Sequence, residues 1–243
     1  TNLSCNSTYE LYVWAYGICG NSQSSTFLTQ TTLICCGAGH DVTFNYNGSS
    51  VTYGTLPGQN GTCWLDRNLG ATAVATAPNH SDGLGDLFQW GRIADGHQLY
   101  NSLTTSTQSN NYLPGHAKFI MGYDNWYTGT NPAPDNLWQG TTGYNNPCPS
   151  GWRVPTENEI DNELQSWITK DYNGAIASSI KLPAPGLRLF NNSGYYLIGG
   201  YGCYWTSTAD INNKAKRLYF TGTAATMTTN ERGFGMSVRC IRD

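Results

Sequence analysis

Apolar and polar side chains alternate along the first part of the chain, over residues 9–16. Tyr9 and Leu11 begin the apolar set, and a period of two residues is typical of a β-strand with one buried face. A turn-forming run rich in Gly, Asn and Ser follows over residues 17–25, and residues 26–32 again have strand character. The pattern predicts a two-stranded hairpin, which needs further packing partners to be stable.

Strand patterns also occur early and late in the rest of the chain. Residues 42–46 and 50–53 are both strand-like, and the dipeptide Asn47-Gly48 between them is a favoured hairpin turn. The sequence therefore predicts a second hairpin there. Three further short strands are predicted near the C-terminus, over residues 204–208, 217–221 and 236–241.

The clearest helical signal follows Pro155. Thr156 is a candidate N-cap, and Glu159 three residues later gives the spacing of a capping box. The residues after Thr156 form one apolar face at helical spacing, which consists of Ile160, Leu164, Trp167 and Ile168. A second, short helix is predicted over residues 86–92.

Residues 98–150 have no periodicity and are rich in Asn, Gly, Pro and Thr. A segment of this length without regular elements is uncommon unless it has a function. Trp126, Trp138 and Tyr144 lie within it. Their rings could stack on a ligand or form a small core beneath the loop. We favour inward packing.

Composition excludes several classes of protein. Charged residues make up 12% of the 243 residues, and the net charge is −3. The chain has no basic patch of the kind that nucleic-acid binding requires, and no apolar run long enough to insert into a membrane as a helix. Aromatic residues reach 13%. Polarity comes mainly from Asn, Thr, Ser, Gly and Tyr, which suits an extracellular protein with a binding surface.

The chain contains eight cysteines. An even count in a chain of this kind favours disulfides and an oxidising compartment. Zinc is the alternative, but the Cys-x-x-Cys spacing common in zinc sites does not occur. We expect disulfides between Cys5 and Cys19, between Cys36 and Cys63, and between Cys148 and Cys240, with Cys35 and Cys203 left over.

The chain divides into two predicted units, residues 1–34 and residues 36–243. The first has a Tyr-x-Leu-x-Val-x-Ala pattern beginning at Tyr9 and resembles the last two strands of a fibronectin type III domain. The alternative is a hairpin that belongs to the main domain. The fibronectin resemblance implies that neighbouring modules of a longer extracellular chain lie upstream.

Five separated motifs occur in order along the second unit. They are Cys63–Gly70, Gly85–Arg92 with Asp95-Gly96-His97, Asn146–Thr156, Tyr204–Thr208 and Gly235–Asp243. Together they resemble the Fibrobacter succinogenes major paralogous (FISUMP) domain, found in secreted proteins of Bacteroidetes-type bacteria. The resemblance implies an α+β, C-type lectin-like fold, with a small twisted antiparallel sheet, two helices and long loops. This fold is shared with formylglycine-generating enzymes and with variable proteins of diversity-generating retroelements.

The sequence predicts no enzyme. The four histidines form no metal-binding pattern, and no nucleophile elbow or phosphate loop occurs. Asp86 and Asp95 are two carboxylates near aromatic residues, as in glycosidases, but Asp86 is better explained as a helix cap. No catalytic residue, metal ligand or cofactor is therefore assigned. Calcium stays open, since hard oxygen ligands are present but scattered at Asp82, Asp86, Asp95 and Asp124.

The predicted function is non-catalytic recognition at the cell surface or outside the cell. The expected ligand is an extracellular protein or a glycan, and the alternative is a structural module of a secreted or surface fibre. The resemblance implies that the C-terminal polar segment forms the binding surface. Its candidate residues are Tyr201, Tyr204, Asp210, Asn212, Asn213, Lys214, Tyr219, Thr228, Asn230 and Glu231.

Overall fold

Strands in small antiparallel sheets dominate the computed structural model, which describes residue 5, residues 7–18, residues 20–32 and residues 35–243. These residues form seven sheets of two to four strands. Their two α-helices have ten and six residues. The expected α+β, C-type lectin-like class is therefore wrong, because helices contribute too little and no single sheet organises the domain.

The N-terminal segment is a hairpin that pairs with no other sheet of the described chain. Its apolar side chains are exposed, with Leu11 61% exposed and Phe27 60% exposed. The division between residues 1–34 and 36–243 stays a prediction. The strands of the segment are β1 (Thr8–Val13), β2 (Tyr16–Gly17), β3 (Gly20–Asn21) and β4 (Thr26–Thr31), paired β1 with β4 and β2 with β3.

The disulfide of this segment joins Cys5 to Cys35, so the expected bridge from Cys5 to Cys19 is wrong. Cys19 itself lies outside the described residues. The register of β1 and β4 supplies the reason, because Thr8 lies opposite Thr31. That pairing brings together the two ends of the segment, where Cys5 and Cys35 lie.

The hairpin predicted around Asn47-Gly48 is confirmed. It consists of β5 (Val42–Tyr46) and β6 (Ser49–Tyr53), with Tyr46 opposite Ser49. Two short strands follow it, β7 (Thr55–Pro57) and β8 (Cys63–Leu65).

The helix expected over residues 86–92 is absent. Phe88–Gln89 instead forms β9, which pairs with a late strand at Gly235 and Met236. Gly91 has a positive φ of 80°, which breaks a helix and favours glycine. The next short strands are β10 (Thr104–Thr105), β11 (Phe119–Ile120) and β12 (Trp152–Arg153).

The helix predicted after Pro155 is confirmed as α1 (Glu157–Ser166), and both hydrogen bonds of its capping box are present. Ile160, Leu164 and Trp167 are buried, as expected from their spacing. Ile168 is 98% exposed, because the helix ends at Ser166 before the apolar pattern does. The second helix, α2 (Tyr172–Ala177), begins after the N-cap Asp171.

The C-terminal region contains the largest regular unit, the sheet β15–β16–β17. The sequence predicted parts of β15 and β16 but missed β17, which is polar. The strands are β13 (Leu187–Arg188), β14 (Tyr195–Tyr196), β15 (Gly202–Ala209), β16 (Lys214–Phe220), β17 (Ala225–Glu231), β18 (Gly235–Met236) and β19 (Ile241–Arg242). Beside this sheet lie two four-stranded sheets, β12–β19–β8–β7 and β14–β13–β18–β9.

Buried tryptophans connect the sheets. The indole of Trp205 donates to the carbonyl of Phe88 at 2.8 Å, and that of Trp90 donates to the carbonyl of Thr206 at 2.7 Å. In the long loop, Trp126 and Trp138 are fully buried, which confirms inward packing for both. Tyr144 is 60% exposed, so the expected inward packing is wrong for this residue.

Two further disulfides join distant parts of the main unit. Cys36 bonds to Cys63 and Cys148 bonds to Cys240, which are the two other pairs expected from the sequence. Cys203 is a buried free thiol. Burial raises the pKa of this thiol to about 11, so the thiol is protonated at neutral pH.

We predict that Trp205→Ala destabilises the domain by about 3–5 kcal/mol, as truncation of a buried aromatic residue does. Trp205 is fully buried, and it also holds the Phe88 carbonyl. Urea denaturation followed by circular dichroism measures the loss. Tyr144→Ala is the matched surface control, and an equal effect of the two changes would contradict the core assignment.

We predict that replacing Cys148 and Cys240 by Ala costs about 4–5 kcal/mol of stability, from the entropy of a closed loop of 92 residues. The same change at Cys36 and Cys63, whose loop spans 27 residues, should cost about 3–4 kcal/mol. Denaturant unfolding of both double variants measures the two losses of stability. A larger loss for the variant with the shorter loop would refute the predicted order.

Candidate functional site

The C-terminal residues predicted to bind a ligand separate into three groups. Tyr204 is in the first group and is wrong as a surface residue, because it is fully buried. Its hydroxyl donates to the carbonyl of Pro183 at 2.7 Å and accepts from Asn68 at 3.1 Å. Alternation failed here because β15 is covered on both faces, and Cys203 and Trp205 are buried as well.

The second group lies at the end of the β15–β16 hairpin and is explained by local structure. Asn212 and Asn213 both have positive φ values, 55° and 60°, and Asn tolerates this conformation better than most residues. Lys214 pairs with Glu231 at 3.5 Å. Asp210 pairs with Lys216 at 3.5 Å.

The third group forms an aromatic face on the three-stranded sheet. The rings of Tyr201 and Tyr219 meet edge to face at 5.3 Å, and Tyr196 contacts Tyr201 at 6.0 Å. Residues directly opposite in antiparallel strands share a face. We call this face the tyrosine surface; it consists of Tyr196, Tyr201, Arg217, Tyr219, Thr226 and Thr228, and Asn230 continues it opposite Ala215.

Arg217 is the member that sequence reasoning missed. It lies opposite Thr228 and beside Tyr219, and its guanidinium carbon is 4.8 Å from the centroid of the Tyr219 ring. No carboxylate among the described residues forms an ion pair with it. Its Nη1 contacts the sulfur of Cys203 at 3.2 Å, and its buried Nε has no hydrogen-bond partner. The alternation of β16 could have located it, since Arg217 and Tyr219 are two residues apart.

The tyrosine surface carries one positive charge and several neutral hydroxyl groups. Burial raises the pKa of Tyr219 to about 12, so its phenol is neutral and able to donate a hydrogen bond. The guanidinium offers donors in a planar fork, which fits carboxylates. These groups can bind and orient a ligand, but they include no nucleophile with a neighbouring base.

A buried Asp-His pair elsewhere resembles a catalytic pair in composition only. The Nδ1 of His97 lies 2.7 Å from Asp95, and its Nε2 accepts from the backbone N–H of Gln89 at 3.0 Å. Burial, with the nearby charge of Arg92, lowers the pKa of His97 to about 3. Both nitrogens of the neutral ring are occupied, so His97 positions the chain and cannot act as a base.

Among the described residues, the one group of side chains with the spacing of a metal site is Cys5, Cys35 and His40. Its two sulfurs are bonded to each other and are therefore not thiolate ligands. Of the four scattered aspartates, Asp95 is held by Arg92 and His97.

Asp86 was expected to cap a helix, but no helix forms there. It is 8% exposed, and its Oδ2 accepts from the hydroxyl of Tyr46 at 2.7 Å. Burial raises its pKa to about 6, and the bond from Tyr46 offsets part of that rise. A buried carboxyl with a perturbed pKa is a candidate for function.

Residues 148–241 match a family model described as a domain of unknown function, DUF8237. The matched range contains both helices, the three-stranded sheet and the tyrosine surface, whereas Asp86 lies outside it. No curated protein and no solved structure matches the chain. In the described part of the chain, no helix combines the length and the apolar character needed to cross a bilayer.

We predict that Asp86→Asn stabilises the protein at about pH 8 by up to about 3 kcal/mol. The folded state raises the pKa from 3.8 to about 6, so folding favours the protonated acid. Stability is therefore lost as the pH rises between these values. Below the lower value, both states are protonated and the gain should vanish.

Urea denaturation at about pH 8 and about pH 3 measures this difference. Asp82→Asn is the matched control, because Asp82 is exposed and should change stability at neither pH. An equal effect of Asp86→Asn at both pH values would contradict the assigned burial.

Proposed function

We propose that residues 36–243 form a non-catalytic recognition module of a secreted or surface protein, which binds an extracellular protein or glycan through the tyrosine surface. The observation that carries this proposal is Arg217. Its charge has no carboxylate partner among the described residues, and the side chain is only partly buried. A ligand with an acidic group would supply the missing negative charge, whereas the buried Nε stays out of its reach.

The chemistry of the surface supports an acidic ligand. Arginine and tyrosine are enriched at the residues that dominate binding energy, and tyrosine offers contact area at low entropic cost. The Tyr219 ring stands next to the guanidinium, and the Tyr201 ring packs against that of Tyr219. A carboxylate would meet Arg217, and an adjoining sugar ring or apolar group would lie against the phenol rings.

The extracellular assignment is supported by the three disulfides of the described chain. Disulfides persist in oxidising compartments and are rare in the cytosol. The resemblance of the second unit to the FISUMP family favours the same location. The low share of charged side chains, 12%, is compatible with it.

A structural role in a surface fibre is the second candidate, and the N-terminal hairpin favours it. Leu11 and Leu28 lie opposite each other on one face of the hairpin, and Tyr12 and Phe27 do so on the other. All four are exposed, and exposed apolar surface of this kind commonly marks an interaction site. In that case the hairpin packs against neighbouring modules, and the tyrosine surface has no ligand.

We predict that Arg217→Gln and Tyr219→Ala each weaken ligand binding by about 30-fold, the equivalent of about 2 kcal/mol. The probe is a glycan array that includes uronic and sialic acid glycans, together with whole-cell adhesion assays. Acidic glycans should be bound in preference to their neutral counterparts, because the guanidinium lacks a carboxylate partner.

Tyr144→Ala is the matched control, since Tyr144 is exposed and lies in the long loop. Melting temperatures of all variants should stay close to that of the unmodified protein. Binding that survives both surface changes and fails in the control would move the site to the long loop. Absence of any binding, with fibre assembly lost on deletion of the module, would favour the structural role.

A further inference from the structure

A cleft of about 440 Å³ opens beside the β5–β6 hairpin, away from the tyrosine surface. Its volume lies in the range of small-molecule sites. The lining includes Tyr46, Tyr53, Arg67, Val51, Leu99 and Asp86. Tyrosine rings and aliphatic side chains thus surround one buried carboxyl group.

Asp86 has an unused acceptor in this cleft. More than nine-tenths of the residue is buried, and its Oδ2 accepts from the Tyr46 hydroxyl. No donor among the described residues reaches its Oδ1. This oxygen is not one of the fully buried atoms that lack a partner, so it retains some exposure and is available to a ligand that enters the cleft.

The charge of Asp86 is also uncompensated. The nearest cation in the lining, Arg67, is held by Asp66 through two hydrogen bonds of 2.7 and 2.8 Å. Its guanidinium covers the Tyr53 ring, with 4.8 Å between its carbon and the ring centroid. No Lys, Arg or His among the described residues forms an ion pair with Asp86.

The other titratable groups that face Asp86 are phenols. Burial raises the pKa of Tyr53 to about 12 and that of Tyr100 to about 12, and it raises the pKa of Tyr46 and of Tyr195 as well. All four are neutral near pH 7. At that pH the carboxylate is the one charge in the cleft that lacks an opposite charge.

We propose that this cleft binds a small ligand with a primary ammonium group, which donates a hydrogen bond to Oδ1 of Asp86. The stem of the ligand lies against Val51, Ala71 and Leu99, which line the same cleft. A guanidinium fits less well, because its planar fork needs both oxygens and Tyr46 occupies Oδ2. A calcium ion needs six to eight oxygen ligands, and the cleft offers one carboxylate.

The test is a titration of the isotope-labelled full chain, followed by NMR in a buffer free of primary amines. The probes are n-butylamine and glucosamine, and n-butanol and glucose are their neutral counterparts. We expect either amine to shift the signals of Val51, Ala71 and Leu99, with the corresponding neutral compound binding at least tenfold more weakly. Binding of butylamine indicates that an alkyl stem suffices, and binding of glucosamine alone indicates a hydroxylated ring.

Asp86→Asn should weaken amine binding at least tenfold, because it removes the charge while an amide oxygen still accepts from Tyr46. Asp82→Asn is the control and should bind as the unmodified protein does. In the unmodified protein, binding should weaken as the pH falls below about 6. Failure of both amines to bind, equal binding of the neutral compounds, or unchanged binding by Asp86→Asn would each overturn the proposal.

Discussion

Buried carbonyl groups in irregular segments need donors, and this requirement governs the structure. Most of the chain runs outside long strands and helices, so backbone N–H groups cannot supply a hydrogen bond to every buried carbonyl. Arginine side chains donate these hydrogen bonds instead. Arg239 is fully buried and donates to Asn68 and to the carbonyls of Leu65, Ile180 and Lys181. Arg92 donates to the carbonyls of His116 and Lys118. A chain with few charged residues thus uses several of them inside.

This internal use of donors positions the tyrosine surface. Arg232, 3% exposed, donates to the carbonyls of Lys214 and Asp210 and thereby fixes the end of the β15–β16 hairpin. The paired indole bonds of Trp90 and Trp205 hold β15 against β9. The second strand of this hairpin, β16, carries Arg217 and Tyr219, so a rigid scaffold holds their spacing, and the proposed ligand would require little ordering on binding.

Sequence reasoning succeeded where the signal was local and failed where tertiary contacts decided. The capping box of Thr156 and Glu159 and the Asn47-Gly48 turn depend on neighbours in the chain, and both formed. The helix over residues 86–92 did not, because Gly91 and pairing to Gly235 decided that segment. The prediction that Tyr204 is exposed failed because alternation assumes that one face of the strand is exposed to solvent, whereas both faces of β15 are covered. The surface predictions for Tyr201 and Tyr219 stay predictions. Sequence analysis named Asp86 as a helix cap, and its place in the cleft depends on tertiary burial.

Uncompensated charge alone does not mark a functional site in this protein; unused hydrogen-bonding capacity beside a charge is more informative. Arg239 has no ion pair among the described residues, yet its guanidinium donates to four partners and is fully buried. Glu163 has an unpartnered Oε2 but is 1% exposed, out of reach of a ligand. Asp86 combines a free Oδ1 with an unpaired charge in the lining of a cleft. Arg217 carries an unpaired charge on a partly exposed side chain, although its free Nε is buried. The proposed positive site on the sheet and the proposed negative site in the cleft would therefore select ligands of opposite charge.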